Sequence, residues 1–254
     1  MKKSGLRIVT YNIHKGFSQF NRHMMVHELR EQLRRLGADI VFLQEVQGAH
    51  SLHAERFDNW PEQPQHDFLA AEVWQATAYA SNVAYDHGHH GNAILSRFPI
   101  EHAFNQDVTH LRFERRGLLH CRINIPGAPA PVHCVCVHLS LFARSRRRQM
   151  DALAAYLEDV AGPGAPLIIA GDFNDWRNEA DTRLARRLGL CEIFAGEGGE
   201  CGSPGRSFPA KHPVLRLDRI YARGFAVKQA QVHSGVPWSR ISDHAALSAL
   251  LSFD

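Results

Sequence analysis

Three observations in the sequence predict an α/β fold. The stretch Pro166–Leu167–Ile168–Ile169–Ala170–Gly171–Asp172–Phe173–Asn174–Asp175 begins as a strand buried on both faces and turns at a glycine. The first 45 residues read strand, helix, strand, the order of a βαβ unit. Strand after strand then ends on a polar residue, where open α/β sheets place their ligands.

At 254 residues the chain is long enough for one sizeable core, and a single domain over residues 1–254 is expected. Its 44% hydrophobic and 22% charged residues, with no low-complexity tract or fixed-period repeat, exclude a disordered or fibrous chain. Lys2 and Lys3 are not followed by an apolar signal core, and no stretch approaches the roughly 18 apolar residues of a membrane span. A cytoplasmic protein is therefore expected, a monomer without stable membrane insertion. Cys121, Cys134, Cys136, Cys191 and Cys201 are odd in number and lack a CxxC spacing, so neither a disulfide framework nor a zinc knuckle is supported. Cys134 and Cys136, two apart in a strand, read as small core residues. A net charge of +3 is too small to prove a nucleic-acid partner, although arginines far outnumber lysines and suit bidentate phosphate contacts.

The first strand is Leu6–Tyr11, with Asn12 at its mouth and Lys15 in the loop beyond. Val26, Leu29, Leu33 and Leu36 recur at helical spacing between Arg22 and Leu36, and Gly37 stops that helix. The strand Asp39–Gln44 ends on Glu45, whose carboxylate would cost several kcal/mol to bury unpaired and suits a hard cation such as Mg²⁺ or Mn²⁺. Residues Gly48 to Glu72, with Trp60, Pro61 and Pro64, read as an irregular loop or lid in which His50, His53 and His66 are solvated. The histidine-rich run from Tyr85 lacks a zinc-ligand pattern and reads as a glycine-flanked loop feeding a strand at Ala93, with His90 and Asn92 facing the same mouth as Glu45.

Arg116 opens the strand Leu118–Arg122, placed equally well for a phosphate or for solvent. The strand Val132–Val137 ends on His138. Arg144, Arg146, Arg147 and Arg148 precede an amphipathic helix carrying Met150, Leu153, Leu157 and Val160. Cations at a helix N-terminus oppose its dipole by about 0.3–1 kcal/mol each, a local conflict of the kind found at functional sites. Arg144 and Arg148 are assigned to the substrate side and Arg147 to solvent. After the strand that ends at Asp172 and Asn174 come a helix over Ala180–Leu188 and a Gly/Pro/Ser-rich loop, Glu197–Pro213. The strand Leu215–Tyr221 carries Asp218, and Ser242–Asp243–His244 introduces a last strand, Ala245–Leu251. An adjacent Asp seldom pairs with its neighbouring His, so Asp218 is the expected partner of His244.

Asx-rich turns are common after strands, and any one of these strand ends leaves that reading open. Together they give carboxylates, amides and imidazoles with no Ser or Cys nucleophile and no Gly-rich nucleotide loop. Hydrolysis of a phosphate ester uses all of these groups at once: carboxylates for a cation, amides and imidazoles for phosphate charge, one base for water.

Tyr11–Asn12–Ile13–His14, Leu43–Gln44–Glu45–Val46, Gly91–Asn92–Ala93–Ile94–Leu95–Ser96, Val137–His138–Leu139, Gly171–Asp172–Phe173–Asn174, Leu217–Asp218–Arg219–Ile220 and Ser242–Asp243–His244 occur in the order found in the endonuclease/exonuclease/phosphatase superfamily. The chain resembles a bacterial branch of it from about Leu6 to Leu251. The resemblance implies a four-layer α/β sandwich, two mixed β-sheets packed face to face with helices outside. It implies Mg²⁺ (or Mn²⁺) held by Glu45, with Asn12 and Asp243 as additional or water-mediated ligands. It also implies Asp172 acting on the attacking water, Asn174 on a phosphate oxygen, and His244, held by Asp218, on the phosphate or as acid–base partner. His138 stands where abasic-site DNA nucleases have tyrosine and sphingomyelinase-like members have histidine. The expected function is thus a metal-dependent phosphodiesterase acting on a phospholipid headgroup or small phosphodiester. The alternatives are a nuclease acting on DNA or RNA, a phosphomonoesterase and, at odds with the filled motif positions, a non-catalytic binding protein.

Overall fold

Over residues 5–19, 23–195 and 205–253, which the computed structural model describes, the chain forms two six-stranded mixed sheets laid face to face with helices on both outer surfaces. In chain order the strands are β1 (Leu6–Asn12), β2 (Ile40–His50), β3 (Ala76–Tyr85), β4 (Gly88–Ser96), β5 (Ile100–Asp107) and β6 (Gly117–Ile123). There follow β7 (Val132–His138), β8 (Leu167–Asp172), β9 (Cys191–Glu192), β10 (Asp218–Arg223), β11 (Phe225–His233) and β12 (Ala246–Phe253). The helices are α1 (Val26–Leu36), α2 (Ser51–Arg56), α3 (Gln65–Ala70), α4 (Ala143–Val160), α5 (Arg186–Leu188) and α6 (Trp238–Ile241). One sheet runs β11-β12-β1-β2-β4-β3 and the other β5-β6-β7-β8-β10-β9.

Each sheet holds one parallel pair at its centre, β1 with β2 and β7 with β8, flanked by antiparallel strands. Parallel neighbours need a crossover, supplied by α1 in the first sheet and α4 in the second. These central strands are apolar on both faces because each face meets a different layer. Ile8, Ile40, Phe42 and Ile94 meet Cys134, Ile168 and Ile220 between the sheets. Val9, Tyr11 and Val41 face Val26, Leu29 and Leu33 of α1 on one outer side. Val135, Val137, Leu167 and Ile169 face Met150, Leu153 and Leu157 of α4 on the other. Cys121, Cys134 and Cys136 are free thiols in the inter-sheet core, as the spacing of the last two suggests.

Four strands had no clear signal in the sequence, β3, β5, β9 and β11, and all four are sheet edges. An edge strand meets fewer neighbours and needs no continuous apolar run; β5 is exposed along most of its length. The segment expected to be irregular from Gly48 to Glu72 is more ordered than that. β2 runs on to His50, and α2 and α3 follow. The loop expected before Ala93 is instead the hairpin of β3 and β4, whose second strand starts at Gly88. α1 starts at Val26 rather than Arg22, which lies outside the described residues. Residues 197–204 of the expected 197–213 loop also lie outside them.

The arginines placed before the fourth long helix lie inside it, since α4 begins at Ala143. Their conflict with the helix dipole is resolved by structure. Arg146 is fully buried and donates to the carbonyls of Ser140 and Leu141, both at 3.0 Å. Its guanidinium also lies 4.0 Å from Asp175 and over the Trp176 ring at 4.7 Å. Arg147 forms a two-point bond to Glu179 at 2.8 and 2.7 Å.

Candidate active site

A strand points alternate residues at the same face, and the site follows from this rule. Along the face that fills the core between the sheets, β1 reads Ile8, Thr10, Asn12; β7 reads Cys134, Cys136, His138; β8 reads Ile168, Ala170, Asp172; and β10, read backwards, gives Ala222, Ile220, Asp218. At one end of the sandwich the apolar inter-sheet layer therefore turns polar on every central strand. Register does the rest: His138 pairs with Asp172, and Asp172 pairs with Asp218, so the three stand in one row across three adjacent strands. Gly171 is required just before the row ends. Its φ is +149°, and a Cβ there would come within 2.0 Å of the Val137 carbonyl oxygen.

Asp172 is the hub. Its Oδ2 accepts from Asn12 Nδ2 of the opposite sheet at 3.1 Å and lies 3.5 Å from His138 Nε2 and 3.9 Å from His244 Nε2. Its Oδ1 accepts from the Asn174 backbone N–H at 2.9 Å. Burial, partly offset by the His244 charge, raises its pKa to about 6. Burial opposes charge on His244, but its Nδ1 is 2.8 Å from Asp218 Oδ2. That carboxylate, with Asp172 and Asp243 nearby, lifts the imidazole to about 10. His138 goes the other way, pushed well below the usual histidine range by burial and by the charges of Arg116 and His244. Two imidazoles beside one carboxylate thus differ in charge at neutral pH.

Glu45 sits where the β2–β4 register shifts between Leu43 and Val46, and its φ is +56°. Bulges of this kind re-aim a side chain, and here the carboxylate meets Lys15 Nζ at 3.6 Å. Asp243 is 3.3 Å from His14 Nδ1, and His14 is raised by this contact and by the Glu45 charge. Both carboxylates therefore face the turn at residues 14–15, whose cations compensate them. Asn12 is tied to this corner too, its Oδ1 accepting from the His14 N–H at 3.1 Å.

Two donor sets suit a metal ion differently. Ligand atoms of Asp172, Asp218 and His244 lie within 4.8 Å of one another, but a protonated His244 repels a cation and has no free lone pair for it. Glu45, Asp243 and the Asn12 amide offer half-buried or buried oxygens of the kind Mg²⁺ or Mn²⁺ takes. The donor chemistry of this second set fits a divalent cation, which would displace Lys15 and His14 from the two carboxylates.

Other residues assigned from the sequence make contacts within the scaffold. Asn92 donates to the Gly117 carbonyl at 3.1 Å and the Cys136 carbonyl at 3.4 Å, stitching the two sheets and leaving no amide hydrogen for a substrate. Arg144 is exposed on α4 and Arg148 pairs with His110; among the described residues no contact joins either to the row around Asp172. The sequence puts both on the substrate side; α4 starts early enough to carry their side chains on its own exposed surface. Arg116 donates to the Leu139 carbonyl at 3.3 Å and to Glu114 at 3.2 Å, although its charge still reaches His138 and His90. Asn174 donates from Nδ2 to the Leu139 carbonyl at 3.0 Å, which commits one of its two amide hydrogens. His90 is held neutral, its pKa lowered to about 4 by burial and the Lys15 charge. His14 and Lys15 at the carboxylates went unassigned as ligand-facing groups. Their signal, a positive-φ turn straight after a strand, is a backbone property that composition does not carry.

A family model described as Endonuclease/Exonuclease/phosphatase family matches residues 9–244. The chain is 45% identical over 243 residues to "Uncharacterized protein YbhP" of Escherichia coli (strain K12), covering 96% of this chain and 94% of that one. Among solved structures it is similar to an endonuclease/exonuclease/phosphatase from Beutenbergia cavernae (TM-score 0.77, 20% identity, 99% of this chain and 72% of that chain). It is also similar to the human Nocturnin catalytic domain with bound sulfate anion (TM-score 0.73, 19% identity, 99% and 95%). At such identities the two structures speak to the fold.

Proposed function

The chain belongs to the endonuclease/exonuclease/phosphatase family, and on that premise we propose that it is a divalent-metal-dependent phosphodiesterase acting on a small phosphodiester. The observation that carries this reading is the carboxylate of Asp172 set between a neutral imidazole, His138, and a charged one, His244. A carboxylate with a pKa near 6 is a competent base for water at neutral pH, and its Asn12 and Asn174 contacts fix both oxygens in direction. His244, kept protonated by Asp218, presents Nε2 toward the same space, where it would donate a charge-assisted hydrogen bond to a phosphate oxygen. Glu45, Asp243 and Asn12 would hold Mg²⁺ or Mn²⁺, which when bound supplies Lewis-acid polarisation of the phosphoryl group.

A phosphomonoesterase is the second reading, favoured by the cations gathered at the same end: Lys15, His244 and Arg116 would match the extra charge of a monoester. The test is hydrolysis of bis-p-nitrophenyl phosphate and p-nitrophenyl phosphate with Mg²⁺, Mn²⁺ or EDTA, by wild type and Asp172→Ala. Metal-dependent cleavage of the diester, lost in the variant, is expected. Preference for the monoester would put the second reading first, and silence on both would overturn the two together.

A further inference from the structure

Next to Glu45 the surface opens into a cavity of about 460 Å³ that the chemistry above does not use. Lys15 and His90 form its inner edge, and Lys15 is the residue that contacts the Glu45 carboxylate. Its walls are rings: Phe17, Phe57 and Tyr85, with His50 and His53 between them. His50 and His53 lie parallel, centroids 3.5 Å apart and planes 6° apart, and His53 packs edge-on against Phe17 at 4.8 Å. Tyr85 stands at the rim, 37% exposed, 5.7 Å from His50 and 5.8 Å from His90. Arg56 lies over Phe57 at 5.4 Å, so Arg56 and Lys15 are the cations of the lining. Among the described residues, none that lines the cavity is a carboxylate.

These features come together only in the fold. Along the chain the rings and cations are scattered from Lys15 to His90, and no interleaved basic and aromatic stripe is visible. β2 running on to His50, α2 turning its chain back, and the β3–β4 hairpin bring them to one place beside the metal-suited carboxylates. Neutral rings stacked side by side with flanking cations and no acid are the chemistry of a surface that stacks planar heterocycles carrying negative charge. A lipid tail would meet too many polar edges here, and a simple phosphate needs no ring wall.

We infer that this cavity is a stacking subsite for a planar ring borne on the alcohol side of the phosphate ester, so that the substrate is a nucleotide-type ester with its phosphate toward Glu45 and its base among Phe57, Tyr85 and the two histidines. The inference rests on the phosphoesterase reading for its orientation, and its test is independent of turnover. Adenosine 5′-monophosphate and ribose 5-phosphate differ only in the ring. Their binding would be measured by calorimetry in EDTA, on wild type, Tyr85→Ala, Phe57→Ala and, as a distant ring, Phe104→Ala. One stacked base is worth about tenfold or more in affinity. The expected result is adenosine monophosphate bound at least about tenfold more tightly than ribose phosphate, a ratio that shrinks in Tyr85→Ala and Phe57→Ala and persists in Phe104→Ala. Equal affinities in wild type, or a ratio untouched in both cavity variants, would overturn the subsite. Ring preference without metal-dependent diester hydrolysis would leave the subsite standing and remove the phosphodiesterase reading; hydrolysis without ring preference would do the reverse. A 5′-phosphorylated single strand in the same titration separates the two sources of such a ring. Tighter, salt-sensitive binding than the mononucleotide indicates a strand end, and equal binding indicates a free nucleotide.

Discussion

Replacing Asp218 by Asn tests the electrical logic of the site most directly. The change keeps the shape of the side chain but removes the charge 2.8 Å from His244 Nδ1, the main influence that holds this imidazole protonated. His244 is nine-tenths buried, and burial alone lowers a histidine, so without Asp218 its pKa should fall from about 10 to the ordinary range or below. At pH 8 the ring then becomes neutral and donates no charge-assisted bond to the phosphate. Loss of one preorganised donor typically costs about 100- to 1,000-fold in rate, so kcat/KM for a diester should drop by that factor at pH 8. The loss should shrink as the pH is lowered toward 6 and the ring reprotonates. The assay is a pH profile of kcat/KM for wild type and Asp218→Asn, paired with an NMR titration of the His244 ring. A variant within about threefold of wild type at pH 8, or one with an unshifted ring titration, would refute the reasoning.

Three further outcomes are expected. Glu45→Ala should lose calorimetric Mg²⁺ or Mn²⁺ binding and metal-dependent turnover with little change in the melting curve; full activity would remove Glu45 from the metal site. Asn92→Ala should lower stability by about 1–3 kcal/mol, because two inter-sheet carbonyls lose their donor, while KM stays put; a raised KM with unchanged stability would restore Asn92 to the substrate. Acid should weaken the fold: burial lowers His53, His90, His120 and His233 to about 4. The unfolded chain then binds more protons between about pH 6.5 and 4, and stability falls as the pH drops through that window. Asp172, raised to about 6, and His244, whose contribution is complete below pH 6.5 and is lost toward pH 10, do not produce this loss. Urea melts from pH 7.5 to 5 should show it, with a shallower slope in His120→Gln.

How much was legible in the sequence follows from where each residue sits. β1, β2, β7, β8 and most of β10 and β12 could be read because a strand between two layers must be apolar on both faces, and that demand leaves a run of residues on the page. The polar residue ending a run, Asn12, Glu45, His138 or Asp172, and Asp218 at the start of β10, could be read for the same reason, since each breaks the apolar pattern. Helix α1 was visible in its apolar spacing and its Gly37 stop. The edges β3, β5, β9 and β11 could not be read, because an edge strand is free to be polar.

What the tertiary structure alone decided is which of these polar residues meet, and how they are charged. Register put His138, Asp172 and Asp218 in one row, and the face-to-face sheets brought Asn12 to Asp172 across 160 positions of sequence. Burial together with the Asp218 contact made one imidazole charged and the other neutral. The early start of α4 set Arg144 and Arg148 on an exposed helix surface, and a bulge at Glu45 turned its carboxylate to Lys15. Composition and periodicity report how much of a residue must be buried; they carry no information on distance between strands or on electrostatic neighbours, and the chemistry of this site depends on both.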